Sequence, residues 1–338
     1  MGKSVLKVGV IGCGAIGKQH IQRMMNKIPQ TTVVAVADYF LDHAKQVAKE
    51  YGIAYYKTGK EVIHALEVDA VVITSNDESH AEYVLECLKV GKYVFCEKPL
   101  SLTANACIEM MKEEQKWGKR LVQVGFMRRY DKGYVEMKRL IEEREIGQPL
   151  MIHAAHRNVS QASGFQTDYA ITRVAIHEID ICRWLLEDEY DMVQVLSVRQ
   201  SMRTSGEWLN PQMIIMRTKS GQHIDVEVQT DQAYAYDIRC QVVGEDGVID
   251  LPDPPMVVKR KNANCSFGMS TDWSQRFIEA YDVELEKWAT DVLNDRLTGP
   301  STWDGYVSCV TSDALIKSRK TGVAEKVDLV EKPSIYLL

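Results

Sequence analysis

The feature that most constrains the fold of this chain is a glycine-rich turn between a short apolar run and a helical pattern. Residues 6–11 read LKVGVI, residues 12–17 read GCGAIG, and Ile21, Met24 and Ile28 follow at helical spacing. That order predicts a buried strand, a tight turn and an amphipathic helix. A G-x-G-x-x-G turn in this context predicts a Rossmann domain that binds a dinucleotide, with the pyrophosphate at the helix N-terminus.

The end of the second apolar run, VVAVAD, selects the cofactor. Its last residue, Asp38, lies 21 residues after Gly17. A carboxylate at this point accepts hydrogen bonds from ribose hydroxyls and repels a 2′-phosphate. NAD is therefore the predicted cofactor, because residues 39–42 carry no cation, although Lys45 keeps some use of NADP open. The cofactor-binding residues predicted in this region are Gly12, Gly14, Ala15, Ile16, Gly17, Asp38 and Tyr39.

The pattern of apolar residues divides the chain into two parts. Through residue 124, short apolar runs alternate with helical periods, which predicts a doubly wound parallel sheet. Beyond it, helical segments at about 131–145 and 168–187 flank the strand MIHAAHRN, and strand-like runs with hairpin turns follow. We therefore predict an α/β fold with a Rossmann domain over 1–124 and, over 125–338, an α/β domain with a mostly antiparallel sheet that binds substrate and builds the oligomer.

Composition excludes several classes of function. The net charge is −6 and there is no long basic run, which argues against nucleic acid as a partner. The eight cysteines form no ligand pair, so we expect reduced thiols and no metal site. The chain has no signal-peptide pattern and no apolar stretch of about 20 residues, so we expect a cytoplasmic protein without a membrane partner.

Two clusters carry candidate chemistry. Glu97 and Lys98 directly follow the strand run YVFC, where side chains emerge beside the cofactor, so Lys98 is a candidate to polarise a substrate hydroxyl rather than a surface lysine. In ITRVAIHEIDICRWL, a helix would place Arg173, His177 and Asp180 on one face. His177 is a candidate acid or base. Taken alone, this histidine is more often an ordinary buried or capping residue.

Motifs from both parts of the chain carry a resemblance to a known family. GVIGCGAIG, YVFCEKPL, RLVQVGFMRRYDKGY, MIHAAHRN, IHEIDICRWL, AYDIRCQVVGEDG and WDGY together resemble the Gfo/Idh/MocA oxidoreductases, most closely their bacterial inositol dehydrogenases. The resemblance implies a large open sheet in the second domain, a homotetramer, and catalysis by Lys98 and His177. It also implies two further sets of contacts. The substrate contacts are Met127, Arg128, His156, Asn158, Asp180 and Tyr236. The additional cofactor contacts are Thr74, Ser75, Asn76, Glu97 and Lys98.

Two departures from that family pattern bear on the substrate. Inositol dehydrogenases usually carry an aspartate four residues before the histidine, and this chain has Arg173 there, which we count among the substrate-binding residues. A cation at this place depresses the pKa of an imidazole, whereas an aspartate raises it. The second departure is the acidic stretch Asn76-Asp77-Glu78, where close relatives have a small, aromatic-containing one.

These observations together predict an NAD-dependent dehydrogenase of polyol catabolism that oxidises a ring hydroxyl of a cyclic polyol or sugar, with an inositol as the leading substrate. An acidic sugar or inositol derivative is the next candidate, because Arg173 could pair with a carboxylate. A dinucleotide-binding sensor or regulator without catalysis is the alternative from another class. The presence of both Lys98 and His177 favours an enzyme.

Overall fold

The glycine-rich turn lies between strand β1 (Leu6–Ile11) and helix α1 (Ala15–Asn26), as predicted. The structure is a computed structural model that describes residues 5–204, 207–252 and 257–337. Strands and helices alternate after α1 and are β2 (Thr31–Ala37), α2 (Leu41–Tyr51), β3 (Ala54–Tyr56), α3 (Gly59–His64), β4 (Ala70–Ile73), α4 (Asp77–Lys89), β5 (Tyr93–Glu97), α5 (Ala104–Trp117) and β6 (Val122–Gly125).

These six strands form one parallel sheet in the order β3-β2-β1-β4-β5-β6. This is the strand order of a Rossmann domain, so the predicted N-terminal fold is confirmed. Every residue of β4 and β5 is buried, as expected for a parallel sheet covered on both faces. The strand order reverses between β1 and β4, and ligands of such sheets bind beyond the carboxyl ends of the strands at that point.

The elements after β6 belong mainly to a second sheet. They are a 3₁₀ turn (Met127–Tyr130), α6 (Lys132–Glu142), β7 (Pro149–Arg157), a π-helical turn (Ala170–Ala175), α7 (Ile176–Leu186), β8 (Tyr190–Leu196), β9 (Gln212–Thr218), β10 (His223–Gln229), β11 (Asp237–Gly244), β12 (Val248–Asp250), β13 (Lys259–Lys261), β14 (Asn264–Ser266), α8 (Trp273–Arg276), α9 (Ile278–Leu293), α10 (Thr302–Thr321), β15 (Glu325–Lys326) and a last 3₁₀ turn (Ser334–Tyr336).

The second sheet has seven strands in the order β12-β11-β7-β10-β9-β8-β15. All of its neighbouring strands are antiparallel except β7 and β10, which confirms the predicted mostly antiparallel sheet. In β10, Ile224, Val226 and Val228 are buried while the residues between them are partly exposed. This alternation gives β10 one apolar side and one polar side.

The helix predicted over 168–187 differs from the structure in its winding. Its first part is the π-helical turn, and regular α-helix begins only at Ile176. Apolar spacing does not distinguish the two, because Ile171 and Val174 are buried within the wider turn. Single π turns inside α-helices often occur at functional sites.

The chain divides into two compact units whose boundaries are not a single cut in the sequence. One unit comprises residues 1–126, 281–309 and 329–338, and the other comprises 127–280 and 310–328. The division of the sequence into domains 1–124 and 125–338 stays a prediction. Among the described residues, no helix is both long enough and apolar enough to cross a membrane.

Candidate active site

The glycines of the first turn have different surroundings. Gly12 has a φ of +104°, and a Cβ on it would lie 2.5 Å from the backbone of Thr74 and Ser75. A Cβ on Gly17 would lie 2.1 Å from the carbonyl oxygen of Gly12. A Cβ on Gly14 would meet nothing within 4 Å. The first and third glycines therefore allow close packing, while the middle one leaves open space at the start of α1, which fits a pyrophosphate.

Asp38 is held by the backbone on both sides. One carboxylate oxygen accepts a hydrogen bond from the Cys13 N–H at 2.6 Å, and the other accepts one from the Phe40 N–H at 2.8 Å. The side chain is thus fixed at the end of β2, next to the glycine-rich turn. Lys45 lies 3.0 Å from Asp42. The cation that could have allowed some use of NADP is therefore already paired with a carboxylate. Tyr39 is 94% exposed.

The loop after β4 is tied to the glycine-rich turn. The Thr74 hydroxyl donates to the Gly12 carbonyl oxygen at 2.7 Å. Asn76 precedes helix α4, and its side chain donates to Glu78 at 2.8 Å. Asp77 and Glu78 lie in the first turn of that helix, where negative charge is favourable to the helix dipole. The acidic departure from the family pattern therefore has a local structural reason.

Glu97 is buried beneath the turn that carries Lys98. Its Oε1 lies 2.8 Å from Nε2 of His20, and its Oε2 accepts from the Lys98 N–H at 3.2 Å. Burial would raise the pKa of Glu97, but the bond to His20 and the charges of His20 and Lys98 hold that pKa below its usual range. Glu97 therefore supports the turn, and Lys98 itself is partly exposed at the end of β5.

A buried charged network lies beside the candidate histidine in the second unit. His177 lies in the first turn of α7, and its ring centroid is 6.2 Å from that of His156 on β7. Nδ1 of His156 lies 2.9 Å from a Glu178 oxygen and 3.1 Å from an Arg128 nitrogen. Arg128 also donates directly to Glu178. Burial would raise the pKa of Glu178, but Arg128 and His156 hold it below its usual range.

Asp180, predicted to contact substrate, has a basic partner that the sequence analysis missed. It is buried, and the Arg129 guanidinium donates two hydrogen bonds to its carboxylate, one of them from Nε at 2.9 Å. Such a bidentate pair fixes both side chains. The role of Asp180 toward substrate stays a prediction.

The other predicted substrate residues lie at different places of the second unit. Met127 is buried in the 3₁₀ turn, and the Tyr236 ring packs edge-on to His156 at 5.7 Å. Asn158 follows β7, and its buried Oδ1 has no hydrogen-bond partner among the described residues. Arg173 lies in the π-helical turn. The structure thus brings Arg128, His156 and Tyr236 together.

Several supporting residues escaped the sequence analysis. Three of them are buried polar groups, namely Glu178, His20 and His80, and the Arg129 side chain is 11% exposed. Only Glu178 had a local signal, since it is an acidic residue within a helix that is buried nearly all round. Nothing in the spacing of the others indicated their partners: Arg129 and His20 bind residues 51 and 77 positions away, and His80 contacts two backbone carbonyls.

The described residues also limit other chemistry. Across residues 5–204, 207–252 and 257–337, no group of three or more His, Cys, Asp or Glu side chains could hold a metal ion. Burial raises the pKa of the Cys13 thiol, within the glycine-rich turn, to about 12. A thiol with that pKa is not a nucleophile at neutral pH.

A glycine-rich turn at the reversal of a parallel sheet, with a carboxylate at the end of the second strand, defines an NAD-binding Rossmann protein. The chain belongs to the Gfo/Idh/MocA family: residues 6–126 match its oxidoreductase NAD-binding Rossmann fold, and residues 138–329 match its C-terminal alpha/beta domain. The chain is thus an oxidoreductase of this family.

Curated relatives and a solved structure are similar over nearly the whole chain. An inositol 2-dehydrogenase of Klebsiella pneumoniae subsp. pneumoniae is 48% identical, over 98% of this chain and 99% of the relative. That of Burkholderia lata is 45% identical over the same shares. The crystal structure of myo-inositol dehydrogenase from Lactobacillus casei in complex with NAD(H) and myo-inositol has a TM-score of 0.95 at 36% identity, over 98% of this chain and 99% of that one.

Proposed function

We propose that this protein is an NAD-dependent dehydrogenase that oxidises a ring hydroxyl of an inositol. The observation that carries the proposal is the 48% identity to an inositol 2-dehydrogenase over 98% of the chain. The fold supports it, because the turn at Gly12 to Gly17 and the fixed carboxylate of Asp38 fit NAD.

The cofactor would be held mainly by residues of the first unit. When bound, NAD supplies the hydride acceptor of the reaction. The backbone at Gly14, Ala15 and Ile16 would bind the phosphates, and Asp38 would bind the adenosine ribose, with Tyr39 beside it. Thr74, Ser75, Asn76, Glu97 and Lys98 are the remaining residues that we propose along the cofactor.

The reacting hydroxyl would be handled by two residues. His177 would accept its proton at a ring nitrogen, as a general base for oxidation and a general acid for reduction. The Lys98 ammonium would donate a hydrogen bond to the same oxygen and stabilise the negative charge that develops there. Substrate would be bound by Met127, Arg128, His156, Asn158, Arg173, Asp180 and Tyr236.

One observation favours a second candidate substrate, an acidic sugar or inositol derivative. Arg173 stands where inositol dehydrogenases usually have an aspartate, and a guanidinium binds a carboxylate in a bidentate manner. A single assay decides between the two candidate substrates. Purified protein is assayed with NAD and a panel of inositols, neutral sugars and sugar acids, and NADH formation is followed by absorbance.

The proposal expects turnover with at least one neutral inositol. Turnover with sugar acids alone would favour the second candidate. Tight NADH binding without turnover on any member of the panel would overturn both, and would favour a dinucleotide-binding sensor or regulator.

We also propose that the protein is a cytoplasmic homotetramer that acts in polyol catabolism. The open second sheet supports the assembly, because its outer face carries partly exposed apolar side chains such as Met213 and Ile215. Light scattering on the purified protein measures the subunit number directly.

A further inference from the structure

A buried histidine outside the proposed catalytic residues joins two loops at the carboxyl edge of the first sheet. His80 lies in helix α4 and is 1% exposed. Its Nδ1 is 2.7 Å from the carbonyl oxygen of Pro99, and its Nε2 is 3.1 Å from the carbonyl oxygen of Ser75. The imidazole therefore lies between the loop that follows β4 and the turn that follows β5.

Both partners of this ring are hydrogen-bond acceptors. A neutral imidazole has a single N–H and donates to only one carbonyl, whereas a protonated ring donates to both. The shorter of the two contacts is the one to Pro99. The bond to Pro99 forms whenever Nδ1 carries a proton, and it holds the peptide between Pro99 and Leu100, one residue beyond Lys98.

The peptide before Lys98 is held in a comparable way. The Lys98 N–H donates to Glu97, and Glu97 is in turn bonded to the buried ring of His20 in helix α1. Buried groups thus hold the N–H of Lys98 on one side and the carbonyl of the next residue on the other, while the Lys98 side chain remains partly exposed.

We propose that His80 is a positioning residue that orients Lys98 against the cofactor-binding loop at Ser75. The proposal rests on the role of Lys98 given above. His80 does not act on the substrate; it holds the backbone from which the Lys98 side chain extends. A displacement of about 1 Å at a reacting group can lower a rate about 100-fold, so such a brace has a measurable effect on turnover.

A double-mutant cycle separates positioning from simple stabilisation. The variants are His80→Ala, Lys98→Met and the double variant, and kcat is expressed per NADH-binding site so that unfolded protein does not count. We expect His80→Ala to lower kcat at least about 10-fold, with the affinity for NADH changed less than about 3-fold. In the Lys98→Met background the same change should lower kcat less than about 2-fold, because the group that it positions is gone.

The matched control is His64→Ala. His64 lies in the neighbouring helix α3, is exposed and pairs with Glu86 at 2.8 Å, so its loss should leave kcat unchanged. Should His80→Ala fail to fold, His80→Gln, which retains an N–H donor but not the ring, takes its place. Equal losses in kcat in both Lys98 backgrounds would overturn the proposal.

A second measurement is independent of catalysis. The rate at which acetic anhydride labels Lys98 is followed by mass spectrometry as a function of pH, with the exposed Lys60 as internal reference. His80→Ala should change the labelling profile of Lys98, and His64→Ala should not. If the unmodified protein oxidises no polyol, the proposed function fails, yet this profile still decides the role of His80: an unchanged profile overturns it.

Discussion

The guanidinium of Arg173 stacks on the ring of Tyr169, with its central carbon 3.8 Å from the ring centroid. Tyr169 in turn packs edge-on to Phe165 at 5.7 Å, and Phe165 packs against Trp208 at 5.3 Å. The cation that replaces the usual aspartate thus lies at the end of an aromatic cluster formed by Tyr169, Phe165 and Trp208. A stack of this type contributes about 0.5–2 kcal/mol and holds the guanidinium in a defined orientation.

We predict that Arg173→Asp changes both substrate preference and pH dependence. A carboxylate four residues before His177 favours the protonated imidazole, so the acidic limb of kcat/KM for oxidation should move to higher pH. Activity on neutral inositols should rise relative to any acidic substrate. A pH–rate series with both substrate classes measures these effects.

Two variants serve as controls for Arg173→Asp. Arg173→Gln removes the charge without adding a carboxylate, and Tyr169→Leu keeps the charge but loses the stack. If Arg173 instead faces a neighbouring subunit, Arg173→Asp should alter the subunit number seen by light scattering. An unchanged pH profile and substrate ranking would mean that the residue has no part in the site.

We predict that NADH binds at least about 10-fold more tightly than NADPH, which corresponds to about 1.4 kcal/mol. Asp38 is fixed by the Cys13 and Phe40 N–H groups, so it cannot turn away from a 2′-phosphate without losing both bonds. Replacing Asp38 by Ser and Tyr39 by Arg together should narrow or invert the preference. Lys45→Ala should leave it unchanged, because Lys45 pairs with Asp42. Fluorescence titration with both nucleotides tests this, and equal affinities in the unmodified protein would contradict it.

Lys98→Met and His177→Ala should each lower kcat at least about 100-fold, as expected for loss of acid–base assistance. His177→Ala should retain NADH binding, because His177 is not among the proposed cofactor residues. Steady-state kinetics and NADH titration give both quantities. Near-normal turnover in either variant would reject the role assigned to that residue.

The sequence predicted the fold well because its signals are local. The turn at Gly12, the carboxylate at Asp38 and the alternation in β10 each depend on neighbours within a few residues. The supports of the site depend on tertiary contacts instead. His20 reaches Glu97 across 77 residues, and Arg128 reaches Glu178 across 50. The spacing of apolar residues in the sequence does not reveal such pairs. It also does not reveal the π-helical turn before His177, because the buried residues of that turn fit an α-helical pattern equally well.

The buried pair of Arg128 and Glu178 gives a prediction about stability. Removing one charge of a buried pair leaves the other unpaired, which costs about 3–5 kcal/mol. Glu178→Gln should therefore destabilise the protein at pH 7. The pKa of Glu178 is below its usual range in the folded state. The ionised Glu178 therefore stabilises the protein above the pKa that this residue has in the unfolded chain, and this effect is lost as pH falls through its pKa in the folded state.

Thermal unfolding at pH 7 and at about pH 4 tests this, because the difference between Glu178→Gln and the unmodified protein should shrink on acidification. The control is Glu136→Gln, which breaks an exposed pair with Arg139 and should change the melting temperature little at either pH. A difference in melting temperature that is the same at both pH values would exclude the ionised network as its source.

The last prediction concerns a buried carboxylate that binds the C-terminal turn. Glu114 is fully buried and accepts hydrogen bonds from the Tyr336 hydroxyl at 2.5 Å, from the Thr302 hydroxyl and from the N–H groups of Leu121 and Val122. Burial raises the pKa of Glu114 in spite of these four donors. Ionisation of Glu114 is therefore less favourable in the folded state than in the unfolded chain. The stabilising effect of this group is greatest below the pKa that Glu114 has in the unfolded chain, and it falls as pH rises toward its pKa in the folded state.

Tyr336→Phe removes one donor from this carboxylate and so raises its pKa further. The variant should lose about 1–3 kcal/mol where Glu114 is ionised, and much less where it is protonated, because a protonated carboxyl needs fewer donors. Its melting temperature should therefore fall more at pH 8 than at pH 5 relative to the unmodified protein. Tyr39→Phe is the control, since the Tyr39 side chain is exposed and its loss of a hydroxyl should change neither value. An equal decrease at both pH values would show that Tyr336 stabilises the turn by packing alone.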